Sequence, residues 1–315
     1  MTKHSRLSLV ERAAEVYDFG AVLRSPIASQ AGAAPHQPVI ERPEPRLETP
    51  QPPVTTERQR RPARLAASGE VAAIDRRKLA EAGFLVPEEA VTGLAEEFRL
   101  VKRRLLTGVE ARSSLPEEKR RSILICSGQP DEGKSFCAVN LALSLAGERE
   151  VDVLLVDGDF SKPEALSMLG LEGGPGLVDA LADPTVDVEN FVIRTDIPGL
   201  SVLPAGRKAN NVPELLASDR TRDVFERLVA GDGRRIILID SPPALMASPA
   251  TVLAGLVGQV VVVVRADRTI EADLRETIGL LSACDDIALL LNGAGGAVTG
   301  RKYGSYDGYG HDQQA

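Results

Sequence analysis

The most informative stretch of the sequence for chemistry is a glycine-rich loop at residues 128–135. It fits the pattern G-x-x-x-x-G-K-[ST], follows an apolar run at residues 123–126 and opens a helical pattern at 135–146. In such a loop the backbone N–H groups and the start of the helix point toward one place, which favours a polyphosphate. The stretch therefore predicts a nucleotide site. The residues expected to contact the nucleotide here are Gly128, Gln129, Pro130, Asp131, Glu132, Gly133, Lys134, Ser135 and Phe136.

Two side chains of this loop have defined roles in the pattern. Lys134 supplies a positive charge for the β- and γ-phosphates, and the hydroxyl of Ser135 is placed to bind Mg²⁺. A glycine-containing turn can match the pattern by chance, but a strand before it and a helix after it argue against that interpretation.

Three aspartates follow two further apolar runs. Asp157 and Asp159 come after residues 151–156, and Asp240 comes after residues 236–239. Ligands in open α/β sheets bind at the carboxyl ends of the strands, so we expect these side chains to lie beside the loop. A single Asp in such a position is often only a turn former, whereas three of them beside this loop favour a Mg²⁺–nucleotide site.

The three carboxylates divide into two predicted tasks. Asp240 and Asp159, with Ser135, are predicted to hold Mg²⁺. Phosphoryl transfer also needs a group that orients or deprotonates the nucleophile, and Asp157 or Asp159 is the candidate. The sequence leaves open which of the two has this role.

Histidine, zinc and disulfide chemistry are not expected. The histidines fall in segments predicted to be flexible, and the cysteines form no C-x-x-C pair. The cysteines are therefore predicted to be small buried apolar side chains. These residues are His4, His36 and His311, and Cys126, Cys137 and Cys284.

The charge balance argues against a nucleic-acid-binding function. The 315 residues carry 37 basic and 45 acidic side chains, a formal net charge of −8. Residues 1–65 hold 10 basic and 7 acidic side chains, which leaves 27 and 38 for residues 66–315. An acidic body does not favour phosphate-backbone contacts. Because no apolar stretch reaches the length of a membrane helix and the start lacks a signal-peptide core, we expect a cytoplasmic protein.

The pattern of the chain predicts four segments. Residues 1–24 contain a short amphipathic helix, and residues 25–68 form a proline-rich disordered linker. Residues 69–300 form a P-loop domain that includes a helix at about 90–110. In this domain apolar runs alternate with helical patterns, which predicts an α/β fold, a mostly parallel sheet with helices on both faces. The runs lie at 123–126, 151–156, 200–203, 236–239, 260–264 and 287–291.

The last segment, residues 301–315, concentrates one residue type. Three of the four tyrosines of the chain, Tyr303, Tyr306 and Tyr309, lie here among glycines. A flexible segment with exposed hydroxyl groups can reach an active site on the same or a neighbouring subunit. The other interpretation is a disordered tail without such a role.

Taken together, these features resemble the bacterial tyrosine autokinases of the MinD/ParA-like P-loop class, which regulate capsule and exopolysaccharide synthesis. The resemblance covers residues 94–309 and rests on the loop at 131–135, on 157–159 and on 240–243. It is supported by residues 203–206 and 211–216, and by Leu291-Asn292-Gly293. Residues 8–14 resemble the exosortase-associated branch of these kinases.

The resemblance implies several roles. The cofactors are ATP and Mg²⁺, Asn292 lies near the adenine, and the tail tyrosines are the phosphoacceptors. Glu96, Arg99 and Lys102 are similar to an E-x-x-R-x-x-R oligomerisation motif and are expected to form a separate charged stripe on their helix. Two positions depart from the family pattern. Ser161 replaces an Arg that follows the aspartate pair, and Lys102 replaces the last Arg of the oligomerisation motif.

The resemblance also implies partners. These are further copies of the chain, a separate membrane-spanning regulator of polysaccharide chain length, and a tyrosine phosphatase, so the protein would lie at the inner membrane through a partner. The alternative is a MinD/ParA-like positioning ATPase with a passive tail. Gln129 argues against it, because those ATPases usually have a lysine there. A nucleotide-sensing adaptor for a polysaccharide exporter is a third possibility.

Overall fold

A seven-stranded sheet forms the centre of the computed structural model, which describes residues 71–87, 92–230 and 233–294. The strand order is β3-β4-β2-β5-β1-β6-β7. All neighbouring strands are parallel except β3 and β4. This confirms the predicted mostly parallel sheet. The strands are β1 Ser122–Ser127, β2 Asp152–Asp157, β3 Ile193–Arg194, β4 Leu200–Leu203, β5 Arg235–Asp240, β6 Gln259–Arg265 and β7 Ile287–Asn292.

Helices cover both faces of this sheet. One face carries α1, α2, α4 and α5, and the other carries α6 to α10. The helices are α1 Arg76–Glu81, α2 Gly93–Ala111, α3 Glu117–Arg120, α4 Lys134–Ala146, α5 Ala165–Met168, α6 Leu177–Ala182, α7 Val212–Leu216, α8 Asp219–Ala230, α9 Pro249–Ala254 and α10 Glu271–Leu280, with a 3-10 helix at Val188–Phe191.

The apolar runs become central strands because both of their faces are buried. In β1, Ile123 and Ile125 face the layer that contains α4, whereas Leu124 and Cys126 face the layer that contains α8. All four side chains are fully buried. A strand buried on both sides has no polar alternation, so an uninterrupted apolar run in the sequence predicts it well. The two-residue strand β3 was not predicted, because so short a segment carries no pattern.

Helix α2 confirms the predicted helix and its apolar stripe. The hydroxyl of Thr92 caps its start by accepting a hydrogen bond from the N–H of Ala95 at 3.1 Å. Phe98 and Leu105 are buried, and Leu94 and Val101 pack against the same core. The helix therefore lies on α4, on the outer side of one helical layer.

The expected charged stripe on α2 is divided in the structure. Glu96 and Arg99 form an ion pair at the helix surface. Lys102, in contrast, is only 7% exposed. Its Nζ lies 2.7 Å from Oε1 of Glu148 and donates to the carbonyl of Ser144 at 2.8 Å. Lys102 thus ties α2 to the end of α4, because its long side chain reaches across the packed interface instead of toward solvent.

The predicted N-terminal helix, the proline-rich linker and the tyrosine tail lie outside the described residues. Within the described ranges, no helix has both the length and the apolar character that a membrane span requires.

Candidate active site

The glycine-rich loop connects β1 to α4, as predicted, and two of its residues have positive φ. Asp131 has a φ of 61°, and Gly133, which caps α4, has a φ of 94°. A Cβ atom on Gly133 would lie only 2.1 Å from Nδ2 of Asn292. Glycine is required here both for the backbone conformation and for this close approach.

Lys134 lies at the centre of a group of oxygen atoms. Its Nζ is 2.8 Å from Oδ2 of Asp159 and 3.9 Å from Oδ1 of Asp240, and it donates to Oγ of Ser135 at 3.1 Å. Burial works against its charge, but Asp240 and Asp159 together raise the pKa of Lys134 above its ordinary value. Lys134 is therefore a positively charged side chain that these contacts fix in position at the start of α4.

Asp240 ends β5 in a fully buried position. Among the described residues neither of its carboxylate oxygens accepts a hydrogen bond. Burial raises the pKa of Asp240 to about 6, although the charge of Lys134 acts in the opposite direction. Buried polar atoms nearly always have a hydrogen-bond partner or bind an ion, so we expect these oxygens to bind a group from outside the chain. Oxygen ligands are those that Mg²⁺ prefers, so Asp240, Asp159 and Ser135 fit this ion.

The segment after β2 is fixed by its own backbone. Oδ2 of Asp157 accepts a hydrogen bond from the N–H of Ala165 at 3.1 Å, and Oδ1 of Asp159 accepts one from the N–H of Lys162 at 3.1 Å. Ser161, which follows the aspartate pair, is exposed. The two aspartates thus anchor this segment through backbone hydrogen bonds.

Asp157 and Asp159 differ in what their second oxygen contacts. Oδ2 of Asp159 pairs with Lys134, whereas Oδ1 of Asp157 is buried and has no hydrogen-bond partner within the described ranges. Burial, together with the charge of Asp240, raises the pKa of Asp157 to about 7. Asp157 is therefore a poorly satisfied carboxylate.

A cavity of about 130 Å³ lies beside Asp157, at the carboxyl ends of β2 and β4. Proline and leucine side chains form its apolar wall, and glycines also line it. The residues around it are Asp157, Pro163, Leu166, Ser167, Leu171, Gly173, Gly174, Pro204, Ala205 and Gly206. The cavity combines apolar walls with one unsatisfied carboxylate.

On its other side the loop contacts the ends of β6 and β7. Nδ2 of Asn292 donates to the carbonyl of Glu132 at 2.9 Å. Nε2 of Gln129 donates to Oδ2 of Asp273 at 3.0 Å, and the hydroxyl of Thr269 donates to Oε1 of Glu132. Sequence reasoning missed Thr269 and Asp273. The polar residues that follow β6 in the sequence could have indicated them, because ligands bind at the carboxyl edge of such a sheet.

The structure brings most of the predicted residues together at this edge. The loop residues, the three aspartates and Asn292 all lie there. The ring of Phe136 instead packs on Phe84, with ring centroids 5.1 Å apart, so only its backbone is available to a ligand. Glu96, Arg99 and Lys102 lie on α2. Tyr303, Tyr306 and Tyr309 lie outside the described residues.

The cysteines lie in the core, as predicted. All three are free and buried. Burial raises the pKa of Cys126 to about 11 and that of Cys137 to about 12, so both thiols stay protonated near neutral pH. They contribute packing and no reactive thiolate.

The parallel sheet and the loop between β1 and α4 define a P-loop nucleotide-binding protein. Comparison with solved structures narrows this class. The chimerical protein CapA2B2 superposes with a TM-score of 0.57 at 25% identity, over 70% of this chain and 92% of that one. The BceF tyrosine kinase domain superposes with a TM-score of 0.52 at 30% identity, over 62% of this chain and 76% of that domain. The chain belongs to the bacterial tyrosine-protein kinase family.

Sequence comparison leads to the same family. EpsB of Ralstonia nicotianae, which bears a tyrosine-protein kinase name, is 34% identical over 165 residues. The match covers 51% of this chain and 21% of EpsB, so the chain spans about a fifth of the length of that relative. No protein-family model matches the chain.

Proposed function

We propose that the chain is an ATP-dependent protein-tyrosine kinase that phosphorylates Tyr303, Tyr306 and Tyr309 of its own tail or of a neighbouring copy. The observation that carries this proposal is the cavity beside Asp157. Hydrolysis of ATP needs only a water molecule, whereas apolar walls next to a carboxylate suit an aromatic ring with a hydroxyl group. A phenol could pack against Leu166 and Leu171 and donate to Oδ1 of Asp157.

Each part that phosphoryl transfer requires has a candidate group in the chain. The backbone of residues 128–135 binds the phosphates, and Lys134 exchanges its contact with Asp159 for the γ-phosphate. Asp240, Asp159 and Ser135 hold Mg²⁺, which when bound neutralises charge on the β- and γ-phosphate oxygens. Asn292, whose Nδ2 donates to the carbonyl of Glu132 in the loop, is proposed to contact the base.

Asp157 is the proposed general base. Its Oδ1 takes the proton of the tyrosine hydroxyl as the phenolic oxygen bonds to the γ-phosphorus. The bond between the γ-phosphorus and the β–γ bridging oxygen breaks, and ADP leaves. Asp159 is less suited to this role because one of its oxygens accepts a hydrogen bond from the N–H of Lys162 and the other is proposed to bind Mg²⁺.

The proposed biological role is regulation of exopolysaccharide or capsule synthesis, as in the family. Its proposed partners are further copies of the chain, assembled through α2, and a separate membrane-spanning chain-length regulator. That regulator would bring a cytoplasmic protein to the inner membrane, and a tyrosine phosphatase would reverse the modification. The name of the CapA2B2 chimera, which joins two components, is consistent with such an activator.

The test is phosphotyrosine mass spectrometry on the full chain incubated with Mg·ATP and the cytoplasmic segment of a candidate activator. We expect phosphate on Tyr303, Tyr306 or Tyr309 in the parent protein and a loss of at least about 100-fold in Lys134→Met. The matched control is Lys78→Met, since Lys78 is exposed on α1. Consumption of ATP without any modified tyrosine would overturn the proposal and indicate a positioning ATPase.

A further inference from the structure

The loop that is proposed to bind phosphates contains a buried carboxylate. Glu132 is only 1% exposed. A buried negative charge is costly unless it is paired or hydrogen-bonded, and near a phosphate site it also repels the ligand. We therefore expect Glu132 to make contacts that offset the cost of burying its carboxylate.

Both carboxylate oxygens of Glu132 are in use. Oε2 accepts a hydrogen bond from the N–H of Gln129 at 2.9 Å, which closes the loop on itself. Oε1 accepts one from the hydroxyl of Thr269, in the turn between β6 and α10. The Thr269 hydroxyl oxygen in turn accepts from the N–H of Arg265 at 2.8 Å. The side chain thus connects the loop to the end of β6.

The backbone of Glu132 makes a second connection. Its carbonyl accepts from Nδ2 of Asn292 at 2.9 Å, and the carbonyl of Asn292 accepts from the N–H of Ala266 at 2.9 Å. Three segments that are distant in sequence therefore meet at Glu132. They are the loop, the turn after β6 and the end of β7.

The loop needs such support because its conformation is unfavourable by itself. Asp131, the residue before Glu132, has a φ of 61°, which few residues other than glycine adopt. Strained residues persist where the surrounding structure holds them in place. The hydrogen bonds of the neighbouring Glu132 provide this constraint from outside the loop.

We propose that Glu132 and Thr269 form a latch that holds the empty loop in its phosphate-binding shape. Both are positioning residues, and the proposal rests on the proposed binding of nucleotide to this loop. Without the latch, the loop would visit other conformations, and the apparent dissociation constant would rise by the inverse of the fraction that stays competent. Bound phosphates would restore the shape, so turnover at saturating ATP would change little.

The test compares Thr269→Val with Thr269→Ser in the full chain. Valine has the same shape without the hydroxyl group, whereas serine keeps the hydroxyl. The matched control is Thr185→Val, because Thr185 also donates to a carboxylate, that of Asp183 at 2.7 Å, on an exposed loop away from the site. Two probes are titrated, Mg·ATP and Mg·tripolyphosphate, and KM and kcat are measured for ATP.

We expect Thr269→Val to bind both probes about tenfold more weakly, with a raised KM for ATP and nearly unchanged kcat. Thr269→Ser and Thr185→Val should bind both as the parent does. Glu132→Gln, which loses one acceptor but keeps the size of the side chain, should resemble Thr269→Val. Thermal unfolding without nucleotide checks that each variant is folded.

Three outcomes would contradict the latch. Binding of both probes by Thr269→Val as tightly as by the parent would show that the latch does not shape the loop. If Thr269→Val bound Mg·ATP more weakly but Mg·tripolyphosphate like the parent, the turn after β6 would contact the adenine base and would not shape the loop. If Thr269→Ser bound the probes as weakly as Thr269→Val, the hydroxyl group would not be the part of Thr269 that matters. If the parent itself bound neither probe, the proposed function would be wrong, and the latch with it.

Discussion

Asp157 and Asp159 show how two identical side chains, two positions apart, acquire different chemistry. Asp157 is the last residue of β2, whereas Asp159 lies in the loop that follows, so the two side chains meet different neighbours. Asp159 contacts the cation of Lys134, whereas Asp157 lies beside the apolar cavity and keeps one oxygen unsatisfied. The first suits the binding of Mg²⁺ and phosphate, and the second suits the handling of a proton.

Substitution of each aspartate by asparagine should separate these roles. Asp157→Asn should lower the rate of tyrosine phosphorylation by at least about 100-fold, because the general base is lost, and leave the affinity for Mg·ATP nearly unchanged. Asp159→Asn should weaken the binding of Mg·ATP. Calorimetric titration and phosphotyrosine rates measure the two effects. An equal loss of affinity in both variants would contradict the assignment.

At the scale of elements, the structure separates residues that one motif groups together. Glu96 and Arg99 pair with each other on the surface of α2, while Lys102 joins α2 to α4. Helix α2 is therefore held by its apolar stripe and by one buried ammonium group. In the proposed function, the outer face of α2 contacts other copies of the chain.

Lys102→Met should therefore lower the stability of the folded chain. The variant loses the hydrogen bond to Ser144 and the ion pair with Glu148, whose carboxylate is partly exposed and so screened. We expect the free energy of unfolding to fall by about 1–2 kcal/mol, as measured by urea denaturation. Arg103→Met, on the exposed face of the same helix, should change it by less than about 0.5 kcal/mol. Equal effects of the two substitutions would contradict the structural role of Lys102.

At the scale of the whole molecule, phosphorylation of the tail would change the net charge. Residues 66–315 carry 27 basic and 38 acidic side chains, so phosphate groups added to the tail would repel one another and this excess of negative charge. Such repulsion could open an assembly that depends on contacts between copies. In the proposed function, phosphorylation would thereby act as an assembly switch.

The variant in which Tyr303, Tyr306 and Tyr309 are all changed to Phe tests this switch. The parent should shift toward smaller species during incubation with Mg·ATP, because the added charge weakens the contacts between copies. The variant should keep its oligomer distribution with or without Mg·ATP. Size-exclusion chromatography with light scattering measures both. A shift of the same size in the variant would show that phosphorylation of the tail is not its cause.

The sequence alone was sufficient for the parts that depend on neighbouring residues. The six predicted strands form because each is an apolar run long enough to be buried on both faces. The glycine-rich loop was identified because its residues are consecutive, and its geometry depends on Gly133 and the start of α4. Asp157, Asp159 and Asp240 could be assigned to one site because parallel strands end at a common edge.

Only the tertiary structure decided which distant residues meet. The contact between Thr269 and Glu132 joins positions 137 apart in the chain. It depends on β6 lying next to β1, which no local pattern encodes. The burial of Lys102 depends in the same way on how α2 crosses α4, and the different surroundings of Asp157 and Asp159 depend on the strands beside β2. Local spacing determined the types of element and the candidate residues, whereas the packing of the elements determined their partners, because long-range contacts follow from strand order and not from sequence distance.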